Sequence, residues 1–359
     1  MKIADILRHM ESIAPLGLAL SWDNVGLLIG QPDWEAEKAL VTLDVTPQAV
    51  EEAINTGCRL VISHHPLIFK PIKSISNPLY IKLVQHGIAV ICLHTNLDVA
   101  ARSVNHLLAE KLGLKLIEPL STETGSTSHS ITVYCPPEAT ERIKQAAWQA
   151  GAGRYGDYSN CATESEVTGY FSPGSSSQPC CDGADAYREH ALHFVCDSLF
   201  LAQVLSAIRS VHPYETPLIV HHPLQSVNPA YGLGLVGSFG DCISIGDIAE
   251  IVKAKLSCPQ LKLWLAGLDI SHKINRIAVC GGSGASVLGI AERKAELFIS
   301  GDISYHSFLD SRIPIIDAGH FYTEYPALSY IEEQLISLGI ACSVLDMSAH
   351  EYSRDMQYI

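Results

Sequence analysis

The sequence predicts an α/β core of parallel and mixed sheets covered by helices, interrupted by a smaller α+β unit. Three observations lead there. Short β-branched runs alternate with amphipathic helical patterns in the first third and again in the last, as βαβ units do when their strands lie side by side beneath helices. Between them the texture changes, and two strand-helix repeats of another pattern follow a polar stretch, "STETGSTSHS". Finally, 359 residues with 47% hydrophobic content exceed the usual size of one compact domain and supply apolar surface for two cores.

In chain order, an amphipathic helix at about 2–12 is followed by the strand "KALVTLDV" and a helix at about 47–56. The strand "RLVISHH", a helix at about 78–86 and the strand "IAVICLHTN" continue the alternation. The segment "SITVYCPPEATERIKQAAWQAG" then reads as strand and helix, and "HALHFVCDSLFLAQVLSAIRSVHPYETPLIVHHPL" repeats that order with a closing strand. Between them "SPGSSSQPCCDGAD" is too rich in Gly, Pro and Ser for regular structure. "NPAYGLGLVGSFGD" marks a return, after which "NRIAVCGGSGAS", "AELFISGD" and "IPIIDAGH" resume the βα alternation. The expected organisation is a core in two segments, 1–125 and 240–359, with an insertion at 126–239.

Composition removes several functions. With 38 acidic against 24 basic residues the net charge is −14, so the chain lacks the basic footprint that neutralises phosphate backbones, and nucleic acid is not the expected partner. The start "MKIADILRHMESIAPLG" has neither the apolar core nor the cleavage site of a signal peptide, and no apolar run is long enough to span a bilayer. Eleven cysteines are odd in number and scattered, and the adjacent pair Cys180 and Cys181 makes neither a CxxC nor a disulfide framework. A reduced, cytoplasmic protein is expected.

Chemistry gathers where predicted core strands end, which is where α/β sheets place their ligand groups. His64 and His65 follow "LVIS", His94 and Asp98 lie in "ICLHTNLD", Asp302 and His306 in "ISGDISYH", and His320 and Glu324 in "IIDAGHFYTE". Imidazoles mixed with carboxylates suit zinc, iron or manganese better than calcium or magnesium. His320 and Glu324 are four apart, so a helix starting after Gly319 puts both on one face. His64 and His65 cannot point the same way from a regular strand, so they belong where it ends, with Pro66 forcing the backbone out of the ladder. Asp98 can bridge two ions. His94 is either a ligand or the group that orients Asp98. Asp302 and His306 are either ligands or a helix cap and a surface histidine. The loop Gly281–Ser286 lacks nucleotide-binding spacings and reads as a tight turn, and "HPYE", His212–Glu215, as a turn into the last strand of the insertion.

The strings "SWDNVGLLIG", "VTLDVT", "VISHHPLIF", "HTNLD" with Asn105 downstream, "CGGSG", "SGDISYH" and "DAGHFYTE" occur in an order that resembles the GTP cyclohydrolase I type 2 homolog family, also called NIF-three-like or dinuclear-metal-centre proteins. The resemblance covers both core segments. It implies an α/β protein assembling into a toroidal homohexamer, with two divalent metals per subunit held by His64, His65, Asp98, His320 and Glu324. It also implies that the insertion is similar to PII or CutA signalling domains, to whose signature "GAGRYGDYSNC", "GYFSP" and "HPYET" correspond. A second "HHPL", at His221 and His222, then falls on a strand end of the insertion without carboxylates nearby in sequence and is not expected to bind metal. One departure is Ser103, where the family usually has glycine. The function implied is hydrolysis of a small nucleotide-like or phosphorylated molecule by water, with ring opening of GTP as one form. The alternative is a metal-handling or regulatory hexamer whose insertion senses a small molecule.

Overall fold

The structure is a computed structural model, and it describes residues 1–122, 126–155, 158–172, 176, 186–228 and 230–346. Cys180 and Cys181 lie outside the described residues. The chain divides into two units, one of Met1–Gly125 with Pro229–Ile359, the other of Ser126–Asn228.

The first unit holds two mixed sheets. One orders its strands Gly26–Ile29, Ala89–Cys92, Leu60–Ser63, Lys38–Thr42 and Ala341–Val344, with every pair parallel except the first. Its central strand, Leu60–Ser63, is buried on both faces, which is why its sequence "LVIS" does not alternate apolar with polar. Leu60 and Ile62 enter the large core, while Val61 packs on the other face with Ala49, Val50 and Ala53 of the helix Pro47–Thr56. That helix is started by the Thr46 side chain, which accepts from the Ala49 amide, and ended by Gly57 in the left-handed region.

The other sheet runs Lys262–Trp264, Ile315–Asp317, Leu297–Gly301, Ile277–Ser283, Leu233–Ser238 and Lys115–Ser121. Its middle strands, Ile315–Asp317, Leu297–Gly301 and Ile277–Ser283, are parallel, and the remaining pairs antiparallel. One apolar cluster joins the two sheets: Val41, Ile62 and Ile91 from the first, Val279, Ile299 and Ile316 from the second, with Leu108, Val252 and Ile331 from helices between them. The carboxyl ends of the parallel strands of both sheets consequently feed the same region of the unit.

The second unit is an antiparallel sheet of Thr163–Gly169, Tyr187–Asp197, Thr127–Cys135 and Ile219–Val227, in that spatial order. The helices Thr140–Gln149 and Leu201–Val211 pack on one face through Ile143, Ala147, Val204 and Ile208 against Ile131, Val133, Leu192 and Phe194. Order and connection make this a ferredoxin-like βαββαβ unit. It ends at Asn228 rather than near 239, because Leu233–Ser238 pairs with Ile277–Ser283 and Lys115–Ser121 in the first unit. The polar stretch "STETGSTSHS" is partly strand, since Thr127 already opens the first strand of the unit. No helix among the described residues is long and apolar enough to cross a membrane.

Candidate metal centre

The parallel ladder runs slightly past Ser63, with the His64 amide donating to the Thr42 carbonyl at 3.1 Å and the His65 amide to that of Leu43 at 2.9 Å. Pro66, having no N–H, cannot continue it. The His64 ring is fully buried, and its Nδ1 lies 2.7 Å from the Leu93 carbonyl oxygen. A carbonyl only accepts, so Nδ1 carries the proton and the neutral ring presents a lone pair at Nε2. That Nε2 is buried without a hydrogen-bond partner, 3.6 Å from Glu324 Oε1 and 3.7 Å from Asp98 Oδ1.

The same construction recurs. His65 Nδ1 is 2.8 Å from Asp44 Oδ1, and its Nε2 is 2.9 Å from Glu324 Oε2 and 3.2 Å from His320 Nε2. His320 Nδ1 is 2.7 Å from Asp302 Oδ2, and its Nε2 is 3.0 Å from Glu324 Oε2. Each outer nitrogen is fixed by an oxygen and each inner one converges on Glu324, the arrangement by which proteins orient metal-ligating imidazoles and raise their basicity. His64, His65 and Glu324 each offer a ligand atom within 4.8 Å of the others.

Local backbone explains the placement. Gly319, with φ +82°, turns the chain after Ile315–Asp317 into the helix His320–Glu324, whose i,i+4 pair faces inward. Gly282 has φ +63°, and a Cβ there would collide with Glu324 Oε1. Asp302 itself adopts the left-handed region at φ +53°, a conformation Asp tolerates better than most residues, and this conformation accompanies its contact with His320. Asp98 lies on the helix Thr95–Val99, tied across the unit by Asn105, whose amide nitrogen donates to the Asp98 carbonyl at 3.1 Å and whose oxygen accepts from the Gly281 amide at 2.8 Å. Ser103, in place of the expected glycine, has φ −81° and caps the helix Val104–Leu112 in a reciprocal box with His106, so no left-handed residue is required there.

Burial alone would lower the imidazoles and raise the carboxyls. Against burial, hydrogen bonds to Asp44 and Glu324 lift His65 to about 10, and Glu324 and Asp302 lift His320 to about 9. His64 is raised despite burial, chiefly by the Glu324 charge. Burial would also raise Glu324, yet the charge of His64 and hydrogen bonds from the histidines hold it well below the usual carboxylate range. Asp98 is raised, because burial outweighs the attraction of His64.

The five residues expected from the sequence are thus adjacent. His94 joins them as a fourth imidazole, its ring centroid 5.4 Å from that of His64 and 5.7 Å from that of His65. Its Nδ1 is fixed 2.9 Å from Asp23 Oδ1, so His94 is itself oriented by a carboxylate. Asp302 sits behind His320 in the same role, and His306 is exposed, its ring 5.4 Å from that of Tyr305, without a hydrogen bond or ion pair to the five among the described residues. Asp23 and Asp44 were not anticipated. Asp44 stands just past the strand Lys38–Thr42, where the strand-end rule that selected His64 could have found it. Asp23 precedes its strand and gave no such signal. Burial would raise Asp23, but hydrogen bonds from His94 and Thr95 bring it down to about 2.

The other sequence candidates are structural. The Gly281, Gly282 and Gly284 amides are taken by Asn105, Thr323 and Ser300 side chains, which leaves the turn no free donors there for an anion. His212 Nε2 lies 3.0 Å from the Tyr134 carbonyl oxygen, and the Tyr214 hydroxyl donates to Glu189 at 2.9 Å. His221 and His222 are not at a strand end as expected, but within Ile219–Val227, paired with Ile131 and Ser130 and exposed.

Fold and site define an α/β protein of two mixed sheets with a histidine–carboxylate cluster where their parallel strands end. The chain belongs to the Duf34/NIF3 (NGG1p interacting factor 3) family, whose sequence model matches residues 1–350. A "GTP cyclohydrolase 1 type 2 homolog" of Staphylococcus aureus (strain COL) is 33% identical over 371 aligned positions, covering 98% of this chain and 100% of the relative. A solved Bacillus cereus protein related to NIF3 superposes with a TM-score of 0.84 at 30% identity, covering 97% of each chain. A Staphylococcus aureus structure gives 0.75 at 31% identity, covering 100% of this chain and 99% of its own.

Proposed function

We propose that the chain is a metal-dependent hydrolase that holds two divalent ions, zinc, iron or manganese, on His64, His65, Asp98, His320 and Glu324 and acts on a small nucleotide-like or phosphorylated substrate. The observation that carries this reading is the buried His64 Nε2, which has no hydrogen-bond partner and is aimed between two carboxylates and beside two further inward-facing Nε2 atoms. Without metal, protons on the imidazoles balance the buried carboxylates, and a divalent cation at the same inward-facing atoms would take over that counter-charge as the protons leave. Five donors exceed what one tetrahedral ion takes, and a carboxylate can bridge a pair. When bound, such ions supply Lewis-acid polarisation and lower the pKa of water to about 7.

The protein's own groups hold this arrangement in place. Leu93, Asp44 and Asp302 fix the tautomers of His64, His65 and His320, and Asn105 couples the Asp98 helix to the facing sheet. Resemblance to the family supports assembly as a toroidal homohexamer, and the name of the Staphylococcus aureus relative makes ring opening of GTP the first substrate to try.

The test is a screen of GTP, nucleotides and phosphoesters with metal-reconstituted wild type beside Asp98→Asn. Removing the charge while keeping the shape should lower hydrolysis at least about a hundredfold, the scale of losing a group that supports a metal nucleophile. Hydrolysis that persists in Asp98→Asn assigns the activity to another site. Silence of the wild type on every substrate, with metal bound, favours a metal-handling or regulatory hexamer, a reading supported by an insertion that contributes none of the five residues.

A further inference from the structure

Trp22 and Phe69 stand beside the cluster and the site as described makes no use of them. Their rings pack 5.6 Å apart at 44°, and Trp22 meets His94 edge-on at 6.0 Å. Both residues are largely open to solvent, 54% for Trp22 and 47% for Phe69, and neither packs into the apolar clusters of the unit. Neither is loosely held. Trp22 precedes Asp23, whose buried carboxylate bonds His94 and the Thr95 amide. Phe69 follows Ile68, whose carbonyl accepts from the Asn24 side chain at 2.5 Å, and the Tyr80 hydroxyl donates to Leu67 at 3.0 Å. Asp23, which orients His94, thus anchors the Trp22 segment, and its neighbour Asn24 ties that segment to the one that carries Phe69. The loop carrying Phe69 also carries Lys70 and Lys73, and no acidic residue occurs between His64 and Tyr80 in a chain of net charge −14.

We infer that Trp22 and Phe69 are a stacking platform that binds the planar heteroaromatic ring of a small anionic substrate beside His94, and so set the substrate class of the proposed site. The inference rests on the reading of that site as a substrate-binding centre. Its physical basis is that rigid aromatic faces bind any π-ring with little loss of rotamer freedom, while cations on the same loop suit an anionic group on the ring. A platform of this kind distinguishes a nucleotide from a sugar phosphate, which the histidine–carboxylate cluster alone would not do.

The experiment is isothermal titration of the full-length chain, metal-reconstituted and metal-stripped, with guanosine and adenosine 5′-monophosphates against ribose 5-phosphate. The nucleotides should bind at least about tenfold more tightly, within the range of base–aromatic stacking, and Trp22→Ala and Phe69→Ala should each remove about that factor. Trp22→Phe should keep most of it, and all three variants should retain the wild-type metal content and oligomer mass. Phe69→Ala guards against a Trp22 effect transmitted through Asp23. Equal affinity for ribose 5-phosphate, absence of nucleotide binding, or variants that bind as wild type overturn the platform. An altered oligomer mass overturns it too, by assigning the pair to a contact between copies. A ring preference in a protein that takes up no metal leaves the platform standing and removes the metal reading, so the two fail separately.

Discussion

The chain writes "HHPL" twice, and the two copies end in opposite circumstances. His64 and His65 leave the central strand of a sheet that is parallel on both sides of it, and their amides still use carbonyls of the neighbouring strand's continuation. Across from them stand Glu324 and His320 from a second sheet, more than 250 residues away in sequence. His221 and His222 lie inside an edge strand of an antiparallel sheet, where Pro223 is tolerated because an edge does not need its N–H. They alternate faces, stay exposed, and belong to no group of three metal-capable side chains among the described residues. A local motif thus acquires chemistry from the ladder that ends beneath it and from what a distant segment brings opposite.

The first copy should be most sensitive to the segment facing it. Gly282→Ala puts a Cβ into the position of Glu324 Oε1 on a left-handed backbone. It should empty the metal centre by elemental analysis and cost at least about 2 kcal/mol in denaturant unfolding. Next come the groups behind the ligands. Asp44→Asn and Asp302→Asn should weaken metal affinity about 10- to 100-fold in competition with a chelator while the site still fills at excess metal. Unchanged affinity would mean that these carboxylates do not orient the rings.

A pH effect follows in size. His65 and His320 lie above the ordinary 6.5, near 10 and 9, so in metal-stripped protein their stabilising contribution is complete below about pH 6.5 and lost as pH rises through 9 to 10. Thermal unfolding of stripped protein should show that decline, and metal binding near pH 7 should release protons, since ligation requires neutral imidazole. The smallest effect on the centre belongs to the insertion. Replacing Ser126–Asn228 by a short flexible linker should leave metal content per chain unchanged, because the five ligand candidates lie in the other unit. A metal-free or aggregated product would show that the centre depends on it.

Much of this was legible in the sequence for a definite reason. Strand ends in parallel sheets are marked by apolar runs that stop at polar residues, and those stops offered His64, His65, His94, Asp98, Asp302, His306, His320 and Glu324, which the family resemblance narrowed to five. Lys115–Ser121 was missed because its partner, Leu233–Ser238, lies beyond the whole insertion, and the same pairing moved the unit's end to Asn228. Thr163–Gly169 reads "TESEVTG", mostly exposed at a sheet edge, and carries no apolar alternation to betray it. Asp23 was invisible because its role depends on a hydrogen bond to His94, a residue on another strand's exit.

The central claim is that the first "HHPL" is a metal centre and the second is not, and metal content per chain tests it most directly. Wild type, His65→Ala and His222→Ala would be stripped, reconstituted with zinc, iron or manganese in turn, freed of excess ion and analysed for bound metal beside a circular-dichroism check of folding. The account predicts about two ions per chain for wild type and His222→Ala, and the loss of at least one in folded His65→Ala. One ion or none in wild type, or loss of metal from His222→Ala, would contradict it.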